Sequence, residues 1–114
     1  MAINILSTTE NVTPPDKIIS GINKHIAFLR EGGTHAVIIQ QSNNNKDLTD
    51  DSNWHNVGYI GPTTDTDFEN EQGLAIFATD GYSYRVRLDT SATNTDTEVS
   101  YGQQLEGPGA RNVD

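Results

Sequence analysis

The most regular pattern in the chain is a two-residue alternation over residues 82–88, where apolar side chains alternate with a serine and two arginines. Successive side chains of a β-strand point to opposite faces, so this pattern predicts a strand with one face in the core. Tyr84 and Val86 are then core residues. Arg85 and Arg87 are expected on the outward face.

Other segments have strand character with less regular alternation. Residues 35–41 are the richest in β-branched side chains and predict a central strand that places Val37 and Ile39 in the core. Residues 54–60 bring in the single tryptophan, and we expect Trp54 to be buried as a large part of a thin core. Further short strands are expected at residues 2–6, 66–71, 74–78 and 97–101.

Residues 14–30 allow two structures. Thr13 with the following prolines resembles a helix start, and isoleucines at near-helical spacing lead to a Gly32-Gly33 stop. The same glycines also suit a hairpin turn between strands at residues 24–30 and 35–41. The two-strand interpretation is favoured because the sequence that follows is β-like throughout, and a short helix stays an alternative.

Short strands separated by turn signals every 8–12 residues or so are typical of a sandwich or small barrel. We therefore predict an all-β fold, a single small antiparallel β-sandwich of immunoglobulin-like or jelly-roll-like type with extended terminal arms. The expected organisation is an N-terminal arm at residues 1–15, the sandwich at 16–102 and a C-terminal tail at 103–114.

Composition narrows the classes of function. Sixteen acidic against seven basic residues give a formal charge of −9, which repels nucleic-acid phosphate and anionic lipid. We expect no nucleic-acid and no membrane partner. The absence of cysteine excludes thiolate chemistry and cysteine-ligated zinc. Neither an ordinary signal peptide nor an apolar membrane span is expected.

No motif for catalysis is present. His25, His35 and His55 lack the spacing of a zinc pair, and the chain has no nucleophile elbow, phosphate loop or dinucleotide fingerprint. A hairpin at Gly32-Gly33 would set Arg30 opposite His35 and make that imidazole a poor general base. We expect a protein that is not an enzyme and needs no cofactor.

Acidic residues form two clusters. Asp47, Asp50 and Asp51 offer oxygen ligands to calcium but lack the spacing and the glycine of a calcium loop. The second cluster occupies every second position of a predicted edge strand, where four carboxylates either protect the edge or meet a basic surface. This candidate interface comprises Asp65, Asp67, Glu69 and Glu71. Arg85 and Arg87 are an intramolecular alternative for these charges.

Three segments, residues 33–43, 53–58 and 82–88, together resemble the small sandwich proteins of tailed-bacteriophage virions. The shared pattern is a strand ending in Gln-x-Ser, a polar loop, a Trp-x-x-Val-Gly element and a late Tyr-Arg strand. The likeness covers residues 33–102 and departs from the family in the longer 42–53 loop and the acidic 65–71 segment.

The resemblance implies a virion structural protein, a decoration or cement protein on the capsid exterior that stabilises the shell. Its partners would be the major capsid protein or another virion protein, with homo-oligomers on the particle. Small domains with extended arms lay backbone along a partner's sheets, so the tail residues Gln104 and Leu105 are further candidate interface residues. The alternative is a glycan-binding or adhesion module of a phage tail or fibre, with Trp54, Tyr59 or Tyr82 stacked on sugar rings.

Overall fold

A computed structural model shows two four-stranded antiparallel sheets packed face to face, which confirms the predicted small β-sandwich. The structure describes residues 3–20, 23–33, 35–61 and 71–104, and of residues 71, 72, 103 and 104 the backbone only. The strands are β1 (Ile3–Leu6), β2 (Ile19–Ser20), β3 (Lys24–Glu31), β4 (Val37–Asn43), β5 (His55–Ile60), β6 (Glu71–Ala78), β7 (Tyr82–Leu88) and β8 (Glu98–Gln104). No helix of the described part is long and apolar enough to cross a membrane.

The order of the strands defines a jelly roll. The first sheet has the order β1-β8-β3-β6 and the second has β2-β7-β4-β5. Each strand of the first half of the chain therefore pairs with its counterpart in the second half, β1 with β8, β2 with β7, β3 with β6 and β4 with β5. Such a chain is one long antiparallel ribbon rolled into two sheets, which distinguishes it from the immunoglobulin alternative.

The main core lies between the two sheets and is built from alternate residues of each strand. In β4 and β7 the inward residues Val37, Ile39, Tyr84 and Val86 are almost completely buried and belong to one apolar cluster. Phe28 of β3 meets them from the opposite sheet. The two-residue period thus placed the main core of the second sheet correctly.

The described residues of this segment, 14–20 and 23–30, contain no α-helix, and the helical alternative was wrong. A short 3-10 turn at Pro15–Lys17 leads into β2, and residues 24–31 form β3. Thr13 does not cap a helix, because its hydroxyl bonds both the carbonyl and the amide of Val86 across to β7. The sheet takes these residues because it supplies backbone partners that an isolated short helix would lack.

The hairpin at Gly32-Gly33 was also wrong, although both flanking strands exist. β3 lies in the first sheet and β4 in the second, so the turn carries the chain from one sheet to the other. Both glycines have a positive φ, 74° and 71°, which fits this sharp crossing. Arg30 is buried beneath it and donates to the backbone carbonyls of His35 and Gly33, at 2.7 and 3.0 Å.

The predicted N-terminal arm is part of the fold over its described residues. Ile5 and Leu6 of β1 are buried in the main core, and β1 pairs with β8. The chain then crosses to the second sheet, where the amide of Leu88 donates to the carbonyl of Asn11 at 2.7 Å. An arm that leaves the domain would need polar residues in β1, whereas Ile5 and Leu6 are apolar and buried.

The C-terminal tail is described only at its start. Its first two residues, 103 and 104, are paired with β3 as the end of β8. Residues 105–114 lie outside the described residues, and so does most of the predicted edge strand at 66–71.

Candidate functional surfaces

The outer face of the second sheet carries an ordered polar network centred on Arg85. Arg85 is only 4% exposed although it points away from the main core. Its Nε donates to Gln40 Oε1 at 2.8 Å, and its Nη2 forms an ion pair with Asp51 at 3.1 Å. Burial lowers the pKa of Arg85, and the hydrogen bond and charge of Asp51 oppose this shift.

Trp54 belongs to this network rather than to the main core. It is buried as predicted, with 6% of its surface exposed, but it lies outside the apolar cluster formed by Val37, Ile39 and Val86. The guanidinium of Arg85 stacks on its ring, and its indole N–H donates to the carbonyl of Leu48 at 3.0 Å. A tryptophan whose N–H needs an acceptor is satisfied better here than among aliphatic side chains.

The polar loop, residues 44–53, is held by its own aspartates. Asp47 accepts from the amide and hydroxyl of Thr49, at 3.0 and 2.6 Å, and these bonds lower the pKa of Asp47. Asp50 binds Ser52 in the same way, at 3.0 and 2.8 Å. The three candidate calcium ligands therefore have separate partners, and the described residues contain no group of acidic or histidine side chains suited to a metal ion.

A shallow groove lies beside the Arg85 network, and we call it the polar groove. Its lining residues are Ile38, Gln40, Asn56, Arg87, Leu88, Asp89, Thr90 and Ser91. Ile38 stands between Tyr59 and Arg87 in the strand register, and Gln40 stands between Asn56 and Arg85. The predicted outward direction of Arg85 and Arg87 is thereby confirmed, and among the described residues Arg85 forms an ion pair with Asp51.

The outer face of the first sheet has an apolar patch of mostly small residues at its centre, bordered by polar residues such as Ser100 and Glu98, and we call this patch the apolar shelf. It consists of Ala27, Leu29, Gly73, Ala75, Phe77 and Gly102, from β3, β6 and β8. At its centre Ala27 lies opposite Ala75 on one side and Gly102 on the other. Phe77 is 48% exposed, and its ring meets that of His25 edge to face at 5.0 Å.

Most of the predicted interface residues fall outside the structure's described residues. Asp65, Asp67, Glu69 and Leu105 lie beyond them, and for Glu71 and Gln104 only the backbone is described, at the first position of β6 and the last of β8. Their role as an interface stays a prediction.

Arg30 and Asn94 are two of the buried polar residues that the sequence did not predict. Arg30 is the last inward residue of β3. The alternation predicts a core position there, but its charge favoured an exposed one. Asn94 donates to the carbonyls of Ser7, Glu10 and Thr97, at 3.1, 2.7 and 2.8 Å, which ties the N-terminal segment to the loop before β8. Its position in a polar Thr-Asn-Thr run gave no periodic signal.

Comparison with known proteins gives no match: no family model, no curated protein and no solved structure is similar to this chain at a significant level.

Proposed function

We propose that this chain is a non-enzymatic structural component of a tailed-phage virion, a decoration protein that binds the capsid exterior through its apolar shelf. The likeness of residues 33–102 to virion sandwich proteins supports this class. Jelly rolls occur among viral capsid proteins as well as lectins, so the fold is compatible with both and decides neither.

The observation that carries the proposal is that the middle of β3, residues 26–29, is apolar on both faces. Ile26 and Phe28 fill the main core, while Ala27 and Leu29 lie on the shelf. An antiparallel sheet with one solvated face normally has polar residues there. Strands that are apolar on both sides are typical of sheets covered on both sides, so the shelf fits a protein that is covered in its working state.

The shape of the shelf indicates the kind of partner. Alanine and glycine at its centre leave little relief, and the larger Leu29 and Phe77 lie on either side of that row. A flat apolar surface without charge at its centre suits another folded protein surface, where close packing excludes water. The acidic charge of −9 disfavours nucleic acid and anionic lipid as the covering partner.

The proposed partner is the major capsid protein, bound by several copies of this chain on the particle. The test is co-sedimentation of the purified chain with shells assembled from the proposed partner, the major capsid protein, in the absence of this chain. Ala27→Lys and Ala75→Lys place a charge at the centre of the shelf, and each is expected to reduce attachment at least tenfold because a desolvated lysine has no partner there.

Thr95→Lys is the matched control, since it adds the same charge on an exposed loop away from the shelf. Thermal melts of all three variants check that the fold is intact. Attachment that survives both shelf variants would contradict the role of the shelf, and failure of the unmodified chain to bind shells would contradict the decoration function itself.

A further inference from the structure

We infer that the polar groove, together with the neighbouring Tyr59, binds a neutral pyranose sugar. This inference goes beyond the proposed function and does not rest on it, because the groove and the apolar shelf lie on opposite faces of the sandwich.

The groove has a hydrogen-bonding group that the fold orients in advance. Gln40 is only 5% exposed, and its two ends are fixed because Oε1 accepts from Arg85 while Nε2 donates to Asn56 Oδ1 at 3.0 Å. The Asn56 carbonyl is thereby turned toward Gln40, which leaves both amide hydrogens of an exposed side chain without a partner among the described residues. Rigid donors of this kind cost little entropy when a ligand binds.

The Arg85 network serves the groove as support. Arg85 holds Gln40, and it is held in turn by Asp51 and by the Trp54 ring. A chain of contacts therefore runs from the polar loop to Asn56. Such buried support keeps a binding group in one geometry.

An apolar platform lies next to these donors. Tyr59 is 57% exposed and lies directly opposite Ile38 in the register of β4 and β5, so its ring borders the groove. An aromatic ring whose hydroxyl edge is exposed to solvent is suited to ligands that have an apolar face and a polar rim. The apolar C–H face of a pyranose ring, with hydroxyls around its edge, has this combination.

The charges in the groove and the net charge of the chain favour a neutral sugar over an acidic one. The exposed guanidinium of Arg87 has no ion pair among the described residues, but Asp89 lines the same groove two positions further along the chain. Donor and acceptor therefore stand side by side, as an array of sugar hydroxyls requires. The net charge of −9 opposes a carboxylated or phosphorylated ligand.

The experiment is an NMR titration of the full chain with methyl glycosides of glucose, galactose, mannose and N-acetylglucosamine, and with a sialic acid glycoside for comparison. At least one neutral glycoside is expected to shift the backbone amides of the groove residues. Tyr59→Ala and Asn56→Asp are each expected to weaken that binding at least tenfold. Asn56→Asp is the sharper variant, because it keeps the acceptor for Gln40 and replaces the outward N–H donors with a charged carboxylate oxygen that can only accept.

Ala75→Lys on the opposite face is the control and is expected to bind sugar unchanged. No shift with any neutral glycoside would overturn the inference, as would binding of sialic acid alone or binding that both groove variants retain. These outcomes are independent of the shell test, since the groove variants are expected to sediment with shells as the unmodified chain does.

Discussion

The guanidinium carbon of Arg85 lies 4.4 Å from the centroid of the Trp54 ring, on the outer face of the second sheet. A desolvated contact of this kind contributes about 2 kcal/mol. Because Trp54 also donates to Leu48, the pair fastens the polar loop to β7. The only tryptophan of the chain therefore reports on the closure of this loop.

Arg85→Met is expected to detach the loop, because it removes the stacked cation and the hydrogen bond to Gln40 together. We expect a loss of about 2–3 kcal/mol in the free energy of unfolding and a red shift of tryptophan emission as water reaches the ring. Asp51→Asn is the control and should cost less than about 1 kcal/mol, because the Asp51 side chain is largely exposed. Equal effects from the two variants, or an unshifted emission, would show that Arg85 does not hold Trp54.

Gly33→Ala tests the crossing between the sheets. A Cβ at Gly33 would collide with the hydroxyl of Thr97 and with Asp96, in addition to the strain of a φ of 71°. We expect a loss of about 3 kcal/mol or more in urea unfolding. Gly81→Ala is the matched control, since its φ is 92° but nothing lies within 4 Å of the added carbon, so only the backbone strain of about 1–2 kcal/mol applies.

Asn94→Asp is expected to make the folded protein less stable at neutral pH than in acid. One oxygen of the introduced carboxylate would keep the amides of Asp96 and Thr97, but the other would face the three carbonyl oxygens that the Asn94 amide now binds. Burial and this repulsion outweigh the two amide bonds and raise the pKa above the usual value of about 3.9. A raised pKa in the folded state gives stability that is present below the unfolded value and lost as pH rises. The variant should therefore be most destabilised at neutral pH. Its free energy of unfolding should approach that of the parent protein near the usual carboxyl pKa of about 4.

The comparison for this variant is Asn43→Asp, which adds the same charge at an exposed position. There the side-chain oxygen accepts from the amide of Asn45 at 2.9 Å, a bond that a carboxylate preserves. Thermal melts from acidic to neutral pH should show almost no change for Asn43→Asp. The explanation fails if both variants lose stability in parallel at every pH.

Thr49→Val is expected to raise the pKa of Asp47. The Thr49 hydroxyl is the main cause of the lowered value, and valine keeps the shape of the side chain while removing the donor. The backbone amide of Thr49 remains, so the pKa should return only part of the way to its usual range. Carboxyl-detected NMR titration measures it, and Ser52→Ala, which removes a donor to Asp50 instead, should leave Asp47 unchanged.

The predicted contribution of Asp47 to stability has a definite sign. Because its pKa is lower in the folded chain, the contribution is present above the usual carboxyl value and is lost as pH falls through the lowered one. Thr49→Val should shift the onset of that loss to higher pH.

The sequence predicted the strands well because alternation depends only on neighbouring residues. β7 matches the predicted residues 82–88, and β4 lies two residues later than predicted at each end. The two-residue β2 was missed, since Ile19 and Ser20 become a strand only through their pairing with Tyr84 and Ser83.

The errors arose where distant segments decide the structure. A Gly-Gly turn has the same local conformation in a hairpin as in a crossing between sheets, and the burial of Arg30 under the turn is visible only in three dimensions. The position of Trp54 depends on Arg85 and on the carbonyl of Leu48, neither of which its own strand reveals. The polar groove likewise combines β4, β5, β7 and the loop after β7, so no single motif could indicate it.

The pairing of each strand in the first half of the chain with one in the second half also determines the order in which the strands can fold. Gln41 meets His55 in the innermost pair, Lys24 meets Ala78 further out, and Ile3 meets Tyr101 in the outermost pair. Each successive pair closes a longer loop, so its entropic cost rises outward from β4–β5. We expect a slow, ordered reaction in which β4 and β5 nucleate and β1 joins last. On the ribosome, β1 is made about ninety residues before its partner and must wait until β8 has been synthesised.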